Sequence, residues 1–152
     1  MPEIKVQGKI SNFLKKEPEK FKHTNILLTI NTNQRYQDND ANLQNDVEVF
    51  DGTVQNILNN INNYCKFPDG DNWNDNSIKD VSIDYIVEKG TQKNCIHAHA
   101  LVKIKHNTKL QLDFKKIQEK VNTELGIVTY VNGRLVKNNG SDNIVDYLNK
   151  YA

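Results

Sequence analysis

Cysteine is scarce, with Cys65 and Cys95 the only two in 152 residues. Two thiols cannot build a disulfide framework, so the chain reads as a protein of a reducing, intracellular compartment. Long apolar runs are missing as well. Stretches such as Ile26-Leu27-Leu28 fall far short of the roughly 18 residues a membrane helix needs, and no membrane contact is expected. Glu3, Lys5, Lys9 and the Lys15-Lys16 pair interrupt any apolar region at the N-terminus, so no secretory signal is expected there. Charge of one sign is not in excess either. Twenty basic and 19 acidic residues leave a net charge of +1, with a pI near 7.7. A domain held to phosphate by bulk charge is far more basic, so any contact with nucleic acid must come from a local patch. No internal repeat is visible.

What is present suffices for a folded core. Hydrophobic residues make up 37% and charged residues 26%, and the mean hydropathy is -0.72, a polar but not a disordered composition. The length fits a single domain over residues 1–152. Asparagine is over-used, as at Asn59, Asn60, Asn62 and Asn63, which suggests the coding bias of an A/T-rich genome.

Residues 1–23 mix charges of both signs with Pro2 and Pro18 and read as an N-terminal arm with weak local structure. Residues 24–32 supply the first strand, around Ile26-Leu27-Leu28-Thr29-Ile30. Residues 34–46 are polar and read as a loop. Phe50, Val54, Ile57, Leu58, Ile61 and Tyr64 then fall on one helical stripe that ends near Cys65. A turn-rich loop follows over residues 68–76, with Trp73 inside it. Val81, Ile83, Tyr85 and Val87 alternate strictly, as do Ile96, Ala98, Ala100, Val102 and Ile104, which predicts a hairpin closed by residues 89–94. Leu110, Phe114, Ile117 and Val121 mark a second helix stopped by Gly126. Asn132-Gly133 predicts a tight turn between strands 127–131 and 134–137. Ser141 or Asp142 would cap a last helix carrying Ile144, Leu148 and Tyr151. This order predicts an α+β fold, a ferredoxin-like split βαβ with a central antiparallel sheet of about five strands and flanking helices.

Strand parity sets His97 and His99 on the face opposite Ile96, Ala98 and Ala100. Two imidazoles at i and i+2 on one strand face, with Cβ atoms about 7 Å apart, can share a metal ion. Glu88 has the opposite parity to the Val81–Val87 set, so the hairpin can bring it across from the histidines, with coordination positions left open. A His-x-His pair on a strand also arises without any metal. Tyr147 and Lys150, three apart, share a helical face. The ammonium favours the phenolate of a side chain whose pKa is about 10, and it can bind a phosphate oxygen. The alternative for Tyr147 is simple packing on an amphipathic helix.

Taken in order, three of these segments resemble the HUH endonuclease domain of rolling-circle replication initiators, the Rep proteins of small circular single-stranded DNA viruses and related plasmids. Leu28-Thr29-Ile30-Asn31-Thr32-Asn33 resembles its first motif. Ile96-His97-Ala98-His99-Ala100 matches the His-hydrophobe-His motif, and Tyr147-Leu148-Asn149-Lys150 matches Tyr-x-x-Lys. Glu88 lies where viral members carry an acidic metal ligand. The resemblance implies a Mn²⁺ or Mg²⁺ ion held by Glu88, His97 and His99, and Tyr147 as the nucleophile with Lys150 beside it. It implies sequence-specific nicking and joining of single-stranded DNA at a replication origin, usually a stem-loop. The products are a 5′-phosphotyrosine and a free 3′-OH that starts rolling-circle replication. Such an enzyme works in the host nucleus when it comes from a eukaryotic virus, and otherwise in the cytoplasm. Members commonly continue into a helicase domain, which suggests that this chain, ending two residues past Lys150, is excised from a longer protein.

Candidate DNA contacts are Thr29, Asn31 and Asn33 on the first strand, with Lys103 and Lys105 after the histidines. Lys109, Lys115, Lys116 and Lys120 extend the basic set, although a solvated helix face explains the helix lysines as well. The competing readings are a non-catalytic ferredoxin-like nucleic-acid-binding domain with incidental histidines, and a transposase or relaxase of the wider HUH class. A two-histidine-one-carboxylate iron oxygenase uses the same ligand types, but its usual β-barrel conflicts with this helix content.

Overall fold

The computed structural model describes residues 5–13, 22–35, 43–66, 78–89, 95–106, 110–136 and 144. In chain order these form β1 (Lys5–Phe13), β2 (Lys22–Arg35), α1 (Leu43–Asn59), a 3-10 turn (Ile61–Tyr64), β3 (Cys65–Lys66) and β4 (Ile78–Lys89). There follow β5 (Cys95–His106), β6 (Gln111–Leu112), α2 (Phe114–Leu125) and β7 (Tyr130–Leu135). Five strands make one sheet in the order β1-β4-β5-β2-β7, with every neighbouring pair antiparallel. β3 and β6 pair separately. β2 and β4, linked through α1, flank β5, which runs the opposite way between them. This is the split βαβ of a ferredoxin-like α+β fold, with β1 added at one edge.

The sheet has one face for the core and one for the site. Ile26, Leu28, Ile30, Val81, Ile83, Val87, Ile96, Ala98 and Val102 are buried beneath the helices. Leu43, Val47, Phe50, Val54, Ile57 and Leu58 form the buried stripe of α1, and Ile117 and Val121 that of α2. Asp113 caps α2 by accepting from the Lys116 N–H at 3.1 Å, and Gly126 closes it at φ 67°, a left-handed conformation that favours glycine. α2 also covers the outer edge of β7. Gln118 accepts from the Val131 N–H at 3.0 Å, and Asn122 Oδ1 accepts from both the N–H and the hydroxyl of Thr129. Edge groups that could template aggregation are satisfied in this way.

Four expectations are corrected. The segment read as a weakly structured arm contributes β1, whose Lys5–Phe13 stretch pairs along β4. α1 begins at Leu43, inside the stretch read as a loop, because Leu43 and Val47 extend the buried stripe by one turn. Asn132-Gly133 is no turn. β7 runs straight through it, with Asn132 opposite Thr29 and Gly133 opposite Leu28. The glycine is required by packing: a Cβ at Gly133 would stand 2.6 Å from the Phe114 ring. Finally, Leu110 is not in the second helix, which starts at Phe114; Gln111–Leu112 is β6, paired with β3 in a ribbon too short to show periodicity. The loop at 68–76 and residues 145–152 of the expected last helix lie outside the described residues, although Ile144 is helical. No helix among the described residues is long and apolar enough to cross a membrane.

Candidate metal centre

The register of β4 and β5 sets Glu88 directly across from His97, and Ile86 across from His99. On the other side β2 places Asn31 across from His97 and Thr29 across from His99. All of these share the face away from α1 and α2, because Ile96, Ala98 and Ala100 take the alternate positions in the core. Glu88, His97 and His99 each offer a ligand atom, and these atoms lie within 4.8 Å of one another. The two imidazoles stand edge to face, centroids 5.1 Å apart. All three side chains are half-buried.

Hydrogen bonds fix the orientation of both rings. His97 Nδ1 is 3.1 Å from the Cys95 carbonyl, which can only accept, so Nδ1 carries a proton. His97 Nε2 then points at Glu88 Oε1, 3.0 Å away. The Thr29 hydroxyl lies 3.1 Å from His99 Nδ1, which leaves His99 Nε2 as the outward-facing donor. A ligating histidine whose other nitrogen is held by a carbonyl or hydroxyl is the arrangement that orients imidazoles around metals.

The charges fit a cation. The hydrogen bond from His97 is the main cause that holds the Glu88 carboxyl below its usual range, aided by the charges of His97, Lys5 and His99 and opposed by burial. Lys5 Nζ is 3.9 Å from Glu88 Oε2. Burial is the main cause that depresses His99 to about 4, with repulsion from His97 adding and Glu88 opposing. His99 is therefore a neutral lone-pair donor at physiological pH. With Nδ1 of His97 protonated, its Nε2 and Glu88 Oε1 at 3.0 Å face each other with one position between them for a proton or a metal ion. Donors around one ion at about 2.1 Å stand roughly 3–4 Å apart, so small side-chain rotations bring this set into range. The cluster can bind a divalent metal.

Of the residues singled out from sequence, Glu88, His97 and His99 come together. Thr29 touches His99 directly, and Asn31 lies in the His97 row. Asn33 is on β2, with its side chain outside the described residues. Lys103 and Lys105 share the face but lie further along β5, across from Ser82 and Asp80, and both are half-buried. Lys115, Lys116 and Lys120 are on α2, behind the sheet. Lys116 reaches the Asn63 carbonyl and lies over Tyr64, and Lys120 pairs with Glu124. Lys109, Tyr147 and Lys150 lie outside the described residues.

Two sets were missed. Lys5 was hidden in the supposed arm, although Lys5, Gln7 and Lys9 alternate with Val6, Gly8 and Ile10 as a strand should. Tyr130, Asn132 and Arg134 were divided by the supposed turn. They are exposed in a row on β7, beside Asn31, Thr29 and Leu27.

A small apolar patch adjoins the centre on the same face. Leu27, Ile86 and Leu101 pack with the fully buried Ile144. The Ile144 N–H donates to Asp84 Oδ2 at 2.6 Å. Ile144 is thus pinned in the patch that adjoins His99. No protein-family model, no curated protein and no solved structure matches this chain.

Proposed function

We propose that this protein nicks and joins single-stranded DNA by the HUH chemistry its motifs resemble, with Glu88, His97 and His99 as the ligands of a Mn²⁺ or Mg²⁺ ion. The observation that carries the reading is the cluster of two imidazoles and one carboxylate on the face of an antiparallel sheet away from α1 and α2. The ion, when bound, supplies charge to polarise the scissile phosphate.

The remaining work falls to the chain itself. The Tyr147 oxygen forms a bond to phosphorus while the bond to the 3′ oxygen breaks. The tyrosine proton leaves and the departing 3′ oxygen gains one, which gives a 5′-phosphotyrosine and a free 3′-OH. Lys150 favours the phenolate and steadies the phosphate. Because one phosphoester replaces another, the same residues can rejoin the ends. Ile144 supports this role for Tyr147. It belongs to one buried cluster with Ile86, the register partner of His99, and three further residues can reach at most about 10 Å. Tyr130, Asn132 and Arg134 add an aromatic ring, an amide and a guanidinium next to Asn31, groups suited to bases and phosphates of a single strand.

The test is a labelled pool of single-stranded oligonucleotides incubated with the protein and Mn²⁺, then separated under denaturing conditions. A protein–DNA adduct that disappears with EDTA supports the proposal. Metal-dependent cutting without an adduct would point to water as the nucleophile and overturn it.

A further inference from the structure

A second concave site lies far from the metal centre. From His97 to His106 along β5 is about 30 Å at ordinary strand rise, and the cavity sits at the His106 end, mainly behind the sheet, where β2 and β7 meet the start of α2. It encloses about 670 Å³, within the range of small-molecule sites. Its apolar wall is Ile26, Leu110, Leu112 and the half-buried ring of Phe114. Gly133 makes room for that ring, since any Cβ there would collide with it.

The polar groups are unevenly distributed. His106, 2% exposed, and Thr24 both line the cavity and are bonded to one another at 2.6 Å. Lys66, Lys115 and Arg134 stand exposed at its rim. None of the three is in an ion pair among the described residues. Asp113 is the lone carboxylate in the lining among the described residues, and its Oδ1 is committed to capping α2. An apolar wall with an aromatic ring, a buried hydrogen-bonding pair and a cationic rim suit a planar heterocycle that carries a negative group.

We infer that this cavity binds a nucleoside phosphate, with the base against Phe114 and Leu112 and the phosphate at Lys66, Lys115 and Arg134. The same chemistry has two sources, a free nucleotide or one nucleotide of a strand that turns around the edge of β7. Arg134 connects the two, because it ends the exposed row of β7 on the histidine face and also lines the cavity. The inference does not depend on the metal centre.

The experiment is calorimetric titration of the full chain in EDTA with deoxynucleoside monophosphates, the matching nucleosides, inorganic phosphate and a short oligonucleotide. Nucleotide should bind at least tenfold more tightly than nucleoside or phosphate alone. The double variant Lys66→Glu/Lys115→Glu, confined to exposed positions, should weaken it by roughly tenfold or more. Leu135→Trp, at a position 76% exposed beside the opening, should weaken it too. Binding of the oligonucleotide but not of free nucleotides, with the same sensitivity to charge reversal, assigns the site to a nucleotide within a strand. Phosphate binding as tightly as nucleotide, or no ligand weakened by the double variant, overturns the inference. His97→Ala should leave this binding unchanged, which separates a failure here from a failure at the metal centre.

Discussion

Thr29 and His99 face each other across β2 and β5, with the hydroxyl 3.1 Å from Nδ1. The contact fixes which imidazole nitrogen is turned outward. Thr29→Val keeps the shape and removes the oxygen. It should lower Mn²⁺ affinity by about tenfold, the lower end for loss of a group that orients a ligand. Calorimetry on the variant and the parent checks this, with circular dichroism expected to be unchanged.

His97→Ala and His99→Ala should each abolish both metal binding and DNA cleavage while the fold persists, because the helix-covered core is on the other face. His97→Ala also removes the hydrogen bond that chiefly lowers the Glu88 carboxyl. Its pKa, followed by NMR, should rise toward the usual carboxylate value. Retention of parental Mn²⁺ affinity by either variant would contradict the ligand set.

Stability of the metal-free protein should depend on pH through His99. Burial holds it at about 4 in the folded state, against 6.5 ordinarily. Below pH 6.5 the unfolded chain takes up a proton that the folded chain refuses, so stability falls as pH falls and the loss is complete near pH 4. The slope is at most about 1.4 kcal/mol per pH unit. Glu88, shifted down, acts in a lower window: its contribution is present above its ordinary value and is lost as pH falls through its folded one. Denaturant melts from pH 7 to 4 in EDTA should show the His99 slope in the parent and lose it in His99→Asn.

Tyr147→Phe should abolish cleavage and covalent attachment, while binding of single-stranded DNA survives. Tyr151→Phe should still cleave, and Lys150→Ala should cleave more slowly. Adduct formation by Tyr147→Phe but not by Tyr151→Phe would reverse the choice of tyrosine and leave the enzyme class standing.

Two glycines predict opposite effects on stability. Gly133→Ala puts a methyl group 2.6 Å from the Phe114 ring and should cost about 1–3 kcal/mol. Gly52, in α1, has open space where a Cβ would stand, with nothing within 4 Å. Gly52→Ala should stabilise by up to about 1 kcal/mol, a rise of roughly 2–4 °C in Tm. Thermal melts of both variants decide it.

Alternation and helical stripes are local properties, and they made the split βαβ legible without coordinates. Val81, Ile83, Tyr85 and Val87 must share a face, as must Ile96, Ala98 and Ala100, whatever packs on them. That parity alone put His97 and His99 on the opposite side. The same local reading failed where a residue answers to a distant partner. Gly133 resembles a turn until the Phe114 ring is seen against it. Lys5–Phe13 lacks a strong apolar run because, as an edge strand, it buries only one face, against β4 and α1. Register is likewise a tertiary matter. Only the pairing of β4 with β5 and of β5 with β2 decides that Glu88 meets His97 at 3.0 Å and that Thr29 turns His99. Sequence separations of 9 and 70 residues cannot encode those contacts locally. The sheet makes them, because a one-residue slip would turn every one of these side chains to the other face.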